Sequence, residues 1–330
     1  MKRSEFIASF CLVIGFLLIQ GATAKTSCAS KSCKMRDSRP LKVLMIGNSF
    51  TESVMRESPM LAKSSGLKLD IVQCGIGGCP FDRHWGNVEK SGDKNFKPYG
   101  VRSSLSSGDA KKFPKHANVT DMLVADKWDI VTIQQASGKS AFYDTYQPYA
   151  DNLIAKIREL APQAEIVIQQ TWSYRCDSPR LASWKIDNTA MYAKLEAAYA
   201  KLAKANGFRI IPCGYAVQVF RAATPVKYQR PDMKVLAKLK NTKAHGFDGE
   251  VVGMCKWRPH KKTKEYYLSC DTSHLNPHGE YLQGAVWFSV LFGRPAAEIK
   301  YVPEGMTAET AKFLLECADK AVANYKHPEK

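Results

Sequence analysis

Several common signatures are missing from this sequence. No G-x-G-x-x-G or G-x-x-x-x-G-K-[ST] loop occurs in its 330 residues, so the usual phosphate cradles of nucleotide-binding folds are excluded. None of the ten cysteines forms a Cys-x-x-Cys pair, so a structural zinc site is not expected; no other metal and no cofactor are expected either. Internal repeats are absent, which excludes solenoids and propellers. There is no ribonucleoprotein-type aromatic motif and no paired Cys/His finger spacing, so nucleic acid is not an expected partner. Beyond the first 24 residues no run is long and apolar enough to span a bilayer.

Acidic residues are scarce relative to basic ones. Asp and Glu number 31 against 48 Lys and Arg, for a formal net charge of +17. The basic residues concentrate between Arg221 and Lys264, where 12 Lys or Arg face only Asp232, Asp248 and Glu250. An excess of this kind favours acidic partners, among them anionic polysaccharide.

The chain starts with Lys2 and Arg3, an apolar run from Phe6 to Ile19, and Ala22-Thr23-Ala24. A charged start, a short apolar core and a small-x-small exit describe a cleavable signal peptide over residues 1–24. Residues 25–40 read as a polar leader and 41–330 as a single domain. The expected mature protein is exported, periplasmic or extracellular, with no membrane span; its oligomeric state is open. Export permits disulfides. Cys11 lies in the signal segment, which leaves an odd number of cysteines, and the candidate pairs are Cys28 with Cys33 and Cys74 with Cys79.

From Leu41 apolar β-rich runs alternate with helical patterns. Strands are expected at 42–47, 67–72, 129–134, 165–170 and 208–212, and helices at about 52–65, 118–126, 146–160 and 188–206. Later helices are expected at about 279–292 and 307–325. This alternation predicts βαβ units, hence an α/β fold whose parallel sheet is covered on both faces. Two stretches break the rhythm as long loops, about 80–116 and 222–267.

In open parallel sheets ligands bind beyond the carboxyl ends of the strands. Ser49 follows the first strand, the run Cys74-Gly75-Ile76-Gly77-Gly78-Cys79 the second, Gln134 and Gln135 the third, and Trp172 the fourth. Asp271 and His274 lie three apart near the end. Together they suit acyl transfer: a serine nucleophile, a histidine base oriented by a carboxylate, and backbone or amide donors for an oxyanion. Separately each has a plainer use, Ser49 above all, because serine commonly caps a helix that follows a strand. A GxSxG elbow is absent, which sets the α/β-hydrolase fold aside.

The blocks Ile46-Gly47-Asn48-Ser49-Phe50 and Asp271-Thr272-Ser273-His274 resemble the first and last blocks of the SGNH (GDSL-like) hydrolases. Gly77 to Trp85 further resembles a branch of that superfamily described only as a domain of unknown function. The resemblance, over about Leu41 to Tyr325, implies a three-layer α/β/α sandwich with a flavodoxin-like sheet. It also implies serine-dependent ester hydrolysis by Ser49, Asp271 and His274, with an oxyanion hole from Ser49, Gly78 (or Gly77) and Gln135 (or Gln134). The chain departs from the pattern at three points: Asn48 stands where Asp is usual, Gln135 would replace the Asn of a Gly-x-Asn block, and Pro277 follows the histidine by three residues.

His84, Trp85 and Trp172 are candidate substrate contacts, with packing as the plainer role of each. Tyr174, with Trp172, is a candidate sugar platform whose plainer role is packing; Arg175 and Asp177 read as solvated loop charges, and His278 as structural, though it is also the competing base. The expected activity is deacetylation or deacylation of a carbohydrate ester, on an acidic or sulfated glycan. Alternatives are an anionic-glycan-binding module with weak or no catalysis, and a small-ester or lipid esterase.

Overall fold

Strand β1, Leu41–Gly47, is buried over nearly its whole length at the centre of a seven-stranded sheet. The computed structural model describes residues 39–109, 112–230, 232–238, 244–245 and 249–327. The signal peptide expected over 1–24, nearly all of the leader 25–40, Cys28, Cys33 and Asp248 lie outside the described residues. Pro40–Lys330 clusters as one compact unit.

After β1 come helix α1 (Ser49–Glu52), α2 (Val54–Ser64), β2 (Leu69–Gly75), α3 (Phe81–Glu89), β3 (Tyr99–Ser104) and β4 (His116–Ala117). Next are α4 (Val119–Val124), β5 (Ile130–Ile133), α5 (Tyr149–Leu160), β6 (Glu165–Gln169), α6 (Pro179–Trp184) and α7 (Asn188–Asn206). Then follow β7 (Arg209–Ile211), α8 (Cys213–Ala223), α9 (Met233–Lys238), β8 (Ala244–His245), β9 (Val252–Pro259) and β10 (Tyr266–Leu275). Helices α10 (Pro277–Phe292) and α11 (Ala308–Asn324) close the chain.

The large sheet runs β4-β3-β2-β1-β5-β6-β7. Strands β2, β1, β5, β6 and β7 are parallel, and β3 and β4 add an antiparallel edge. Taken alone, the parallel strands have the flavodoxin-like order, with its reversal of winding at β1 and β5. Helices α2, α8, α10 and α11 pack together as one layer, and α3, α4 and α5 as another. The expected α/β/α sandwich is the architecture found.

Both expected long loops contain secondary structure. Residues 80–116 fold into α3 and β3, and 222–267 contributes α9 and a second, three-stranded sheet in the order β10-β9-β8. The edge strand β3 escapes a reading by hydrophobic pattern because its Tyr-Gly-Val-Arg-Ser-Ser text is half-polar on both faces. The hairpin β9–β10 escapes it because its exposed positions mix Lys256 and Arg258 with Pro259, Tyr266, Tyr267 and Cys270, so no apolar-polar alternation shows.

The cysteines pair differently from expectation. Cys74 and Cys79 are both free and buried, whereas Cys255 and Cys270 form a disulfide across β9 and β10. Spacing in sequence misleads here, because strand register and not proximity in the chain brings the bonded pair together.

Candidate active site

Strand β1 stops at Gly47, where a Cβ would lie 2.7 Å from Thr51 Oγ1, so the chain can turn only with glycine there. Asn48 then caps α1, its Oδ1 accepting from Phe50 N–H at 3.0 Å. The cap is therefore Asn48, and Ser49, the first helical residue, keeps its hydroxyl for other use. The Asn48 amide also donates to Cys79 O at 3.2 Å, and Ile76 N–H donates to Gly47 O at 3.1 Å. These two bonds hold the glycine turn Ile76–Cys79 beside the nucleophile turn. Gly77 and Gly78 are exposed at its tip, and Gly78 adopts a φ of 62° that favours glycine.

Asp271 and His274 sit at a register shift in β10. Asp271 pairs with Met254 and Leu275 with Val252, so the residues between bulge out of the ladder. Asp271 Oδ1 organises that bulge by accepting from Ser273 N–H at 2.7 Å and His274 N–H at 2.9 Å. Its other oxygen, Oδ2, accepts from His274 Nδ1–H at 2.7 Å. A carboxylate can only accept, so the imidazole proton resides on Nδ1 and Nε2 is left to accept. Ser49 Oγ donates to that Nε2 at 2.9 Å. Burial alone would raise the Asp271 carboxyl. The hydrogen bonds from the His274 side chain and backbone and from Ser273 N–H outweigh it and hold Asp271 well below the usual carboxylate range.

The segment after β6 supports the bulge. Trp172 stacks on Phe50 with ring centroids 4.2 Å apart and donates from Nε1 to Ser273 O at 2.8 Å, while Phe50 presents its edge to His274. Arg175 N–H donates to Thr272 O at 2.9 Å, and Thr272 Oγ1 to Ser178 Oγ at 3.0 Å. Arg175 and Asp177, expected as solvated charges, form a largely buried ion pair at 2.6 Å. Arg175 packs against Gly253, whose φ of 91° and lack of a Cβ make room for the guanidinium and for Asp271 O.

Helix α10 comes directly after β10. Asn276 Oδ1 accepts from Gly279 N–H at 3.1 Å and Pro277 occupies the first turn. The displaced proline thus starts the helix that follows His274. His278, the competing base, is exposed on that first turn and lines a separate groove with Phe220, Met306 and Phe313. Met254 separates this groove from the Ser49 cavity and lines both.

Three glutamines, Gln134, Gln169 and Gln283, lie beneath the site. Gln134 Nε2 donates to Asn48 Oδ1 at 2.7 Å, and the Gln169 amide donates to Gln134 and, at 3.1 Å, to Phe50 O. Gln283 on α10 also donates to Phe50 O, at 3.0 Å, and Ser53 Oγ donates to Gln283 Oε1 at 2.6 Å. These buried amides fix the backbone of Asn48 to Ser53. The sequence carries a signal for the first two: Ile-Gln-Gln ends both β5 and β6.

Gln135 does not offer its amide to Ser49. Its Nε2 donates to Thr145 O at 3.0 Å, and its Oε1 accepts from Phe81 N–H at 3.0 Å and Ala136 N–H at 2.9 Å. It satisfies the first turn of α3, which Pro80 cannot cap. Gln134, the rival, is committed to Asn48. Gln135→Ala should therefore cost about 2–3 kcal/mol by stranding buried N–H groups, read as a lower urea midpoint. Loss of an oxyanion donor would instead cost about 10²–10³ in kcat in a protein that unfolds at the same urea concentration.

Two of the three candidate substrate contacts are elsewhere. His84 is fully buried and bonds Tyr99 OH through Nδ1 at 2.9 Å. Burial, aided by Arg83 and opposed by Asp82, pushes its imidazole down to about 3. Trp85 packs, half-buried, against the core, and Tyr174 is buried with its hydroxyl on Ser137. Trp172 does line the site. The cavity at Ser49, about 330 Å³, is walled by Glu52, Ser53, Arg56, Trp172, Met254, Lys256, Arg258, Ser269, Asp271, His274 and Glu280 among others.

Glu280 is buried in that wall and ion-paired with Arg56. Burial pushes its carboxyl from 4.5 up to about 7; Arg56 and His274 oppose the shift, and Glu57 and Glu52 add to it. Between those two values the folded chain keeps a proton that the unfolded chain has released, so stability falls as pH rises from 4.5 towards 7. Glu280→Gln should flatten the pH dependence of Tm over that window and raise Tm above it; an unaltered profile would contradict the assignment.

A family model described as Domain of unknown function (DUF4886) matches residues 42–230, a span that holds Ser49 but ends before Asp271 and His274. No curated protein sequence matches the chain. Among solved structures it is similar to a DUF4886 family protein from Bacteroides uniformis, at 26% identity and a TM-score of 0.68, over 87% of this chain and 96% of that one. A protein of Slackia heliotrinireducens described as an SGNH hydrolase aligns at 19% identity and a TM-score of 0.44, over 76% of this chain and 97% of that one. An acylhydrolase-described protein of Bacteroides fragilis aligns at 13% identity and a TM-score of 0.40, over 82% of this chain and 98% of that one.

Proposed function

The chain belongs to the DUF4886 family, a domain of unknown function, and with that membership we propose that it is a serine-dependent carboxylic ester hydrolase acting on a carbohydrate ester. The observation that carries this reading is the hydrogen-bond relay Ser49–His274–Asp271, 2.9 Å and 2.7 Å long, at the carboxyl end of the central strand. Ser49 Oγ attacks the ester carbonyl as His274 Nε2 takes its proton. Asp271 keeps the imidazole in the required tautomer and stabilises the imidazolium. Ser49 N–H, unused within the first turn of α1, and Gly78 N–H receive the oxyanion. The alcohol leaves with the proton from His274, and a water repeats the sequence on the acyl-enzyme to release the acid.

A polar substrate suits the cavity, whose walls carry Glu52, Ser53, Arg56, Lys256, Arg258 and Ser269 where a lipid esterase would need apolar side chains. Action outside the cytoplasm follows from the Lys2–Ala24 leader pattern and accords with the Cys255–Cys270 disulfide. The test is covalent: a fluorophosphonate should inactivate 4-nitrophenyl acetate hydrolysis and add its mass to the peptide containing Ser49. Inactivation with the label on another serine would overturn the assignment.

One observation favours a second reading, a glycan-binding module with weak catalysis: Gln135 is withdrawn from the oxyanion site. Saturable binding of acetylated polysaccharide without measurable acetate release would select it.

A further inference from the structure

A β-strand sends alternate side chains to opposite faces. On β9 that alternation puts Met254, Lys256 and Arg258 on one face, and the residues opposite them on β10 are Asp271, Ser269 and Tyr267. The face that carries the acid of the relay therefore also carries two cations. Rungs two residues apart are roughly 7 Å apart, so Lys256 and Arg258 stand roughly 7 and 14 Å along the strand from the Asp271 rung. Both line the cavity at Ser49. Arg258 also lines a second basin of about 600 Å³, with Pro259, His260, Lys261, Lys262 and Tyr267.

The cations of this strip have no acidic partner among the described residues. Among the described residues Lys256, Arg258, Lys261 and Lys262 enter no ion pair, whereas Arg56 on the opposite wall is neutralised by Glu280 and Arg102 holds Glu52. Tyr267, opposite Arg258 on this face, is 48% exposed, a large fraction for an aromatic side chain beside a cavity. A row of such cations ending beside the exposed ring of Tyr267, and beginning at Ser49, fits an extended anionic chain whose sugar face can stack on that tyrosine.

We propose that the β9–β10 hairpin is the binding strip for a polyanionic polysaccharide, holding carboxylates or sulfates of neighbouring sugar units while one ester lies at Ser49. The ester end of this assignment rests on the hydrolase reading; the strip itself does not. Nucleic acid carries the same charge but no carboxylic ester, so it gives Ser49 nothing to cleave.

The strip is tested by binding to the Ser49→Ala protein, which makes the result independent of turnover. Titration calorimetry would use polygalacturonate for carboxylate, chondroitin sulfate for sulfate, neutral xylan, and a short DNA duplex. The expected result is saturable binding to at least one of the two anionic glycans, weakened by added salt, with xylan and DNA weaker. K256Q/R258Q should weaken it about tenfold, the scale of two lost charge-assisted contacts, and K256R/R258K should restore most of it. DNA bound more tightly than either glycan, equal binding of xylan, or unaltered binding in K256Q/R258Q would overturn the proposal. Should the double variant fail to fold, the single variants K256Q and R258Q decide, each expected to weaken glycan binding about threefold, and unaltered binding in both overturns the proposal. Failure of the hydrolase reading shows separately, as turnover that survives Ser49→Ala.

Discussion

Ser49→Ala should lower kcat/KM for 4-nitrophenyl acetate by on the order of 10⁴-fold or more, with the folded structure intact. The size follows from the chemistry, because no other hydroxyl among the described residues is held on His274 Nε2 and an alanine leaves the base without a nucleophile to activate. The intact fold follows from the local structure. Ser49 Oγ bonds to His274 Nε2 and does not cap the helix. The capping that serine often provides is done by Asn48, whose side chain also ties the turn to Cys79 and Gln134. Removing the hydroxyl therefore strands no backbone donor. Far-ultraviolet circular dichroism and Tm should match the wild type while turnover vanishes. Retained turnover would rule out the mechanism, and a lowered Tm would return Ser49 to a structural role.

The second large effect separates the two histidines. His274→Ala should cost about 10²–10⁴ in kcat, the range of a general base. His278→Ala should leave kcat within a few-fold, since its side chain lines a different groove. Asp271→Asn completes the comparison. Its amide would present a donor to Nδ1 or leave the wrong tautomer, which should cost about 10⁴ although the shape is preserved. Ionised Asp271 is secured by the three N–H donors of the bulge, so its loss of charge should limit activity only in strong acid. A silent His274→Ala with an inactive His278→Ala would relocate the base. Kinetics of the three variants on one neutral ester, with Tm for each, decide the matter.

Much of this site is legible in the sequence because it is built at strand ends. The run Lys42–Gly47 is apolar on both faces, which marks a central parallel strand, and the residues just beyond such a strand face the ligand crevice. Asp271 and His274 are legible because a carboxylate three residues before a histidine can reach its ring within one turn. Gln135 is misplaced by the sequence reading because chain position fixes the strand end but not the rotamer. The competing demand, an acceptor for the uncapped start of α3 after Pro80, is invisible without the packing. His84 misleads in the same way, its neighbours suggesting a loop over the pocket where there is a buried helix. The β9–β10 hairpin is hidden by its mixed surface: exposed positions that hold Lys256 and Arg258 beside Pro259, Tyr266, Tyr267 and Cys270 show no apolar alternation to detect. The disulfide is hidden because strand register, not chain proximity, pairs Cys255 with Cys270.

The proposed nucleophile, Ser49, and its base, His274, are 225 residues apart in the chain. Ser49 leaves the ribosome early, on the strand about which the sheet grows, whereas His274 enters only with β10, just before α10, which packs against α2. Until β10 is made, Ser49 has no base beside it. The proposed activity therefore requires the C-terminal part of the chain to dock. Contacts this distant also close slowly. A protein cut short before residue 271 would keep Ser49 but lack His274 together with α10 and α11, two of the four helices that form one layer of the sandwich.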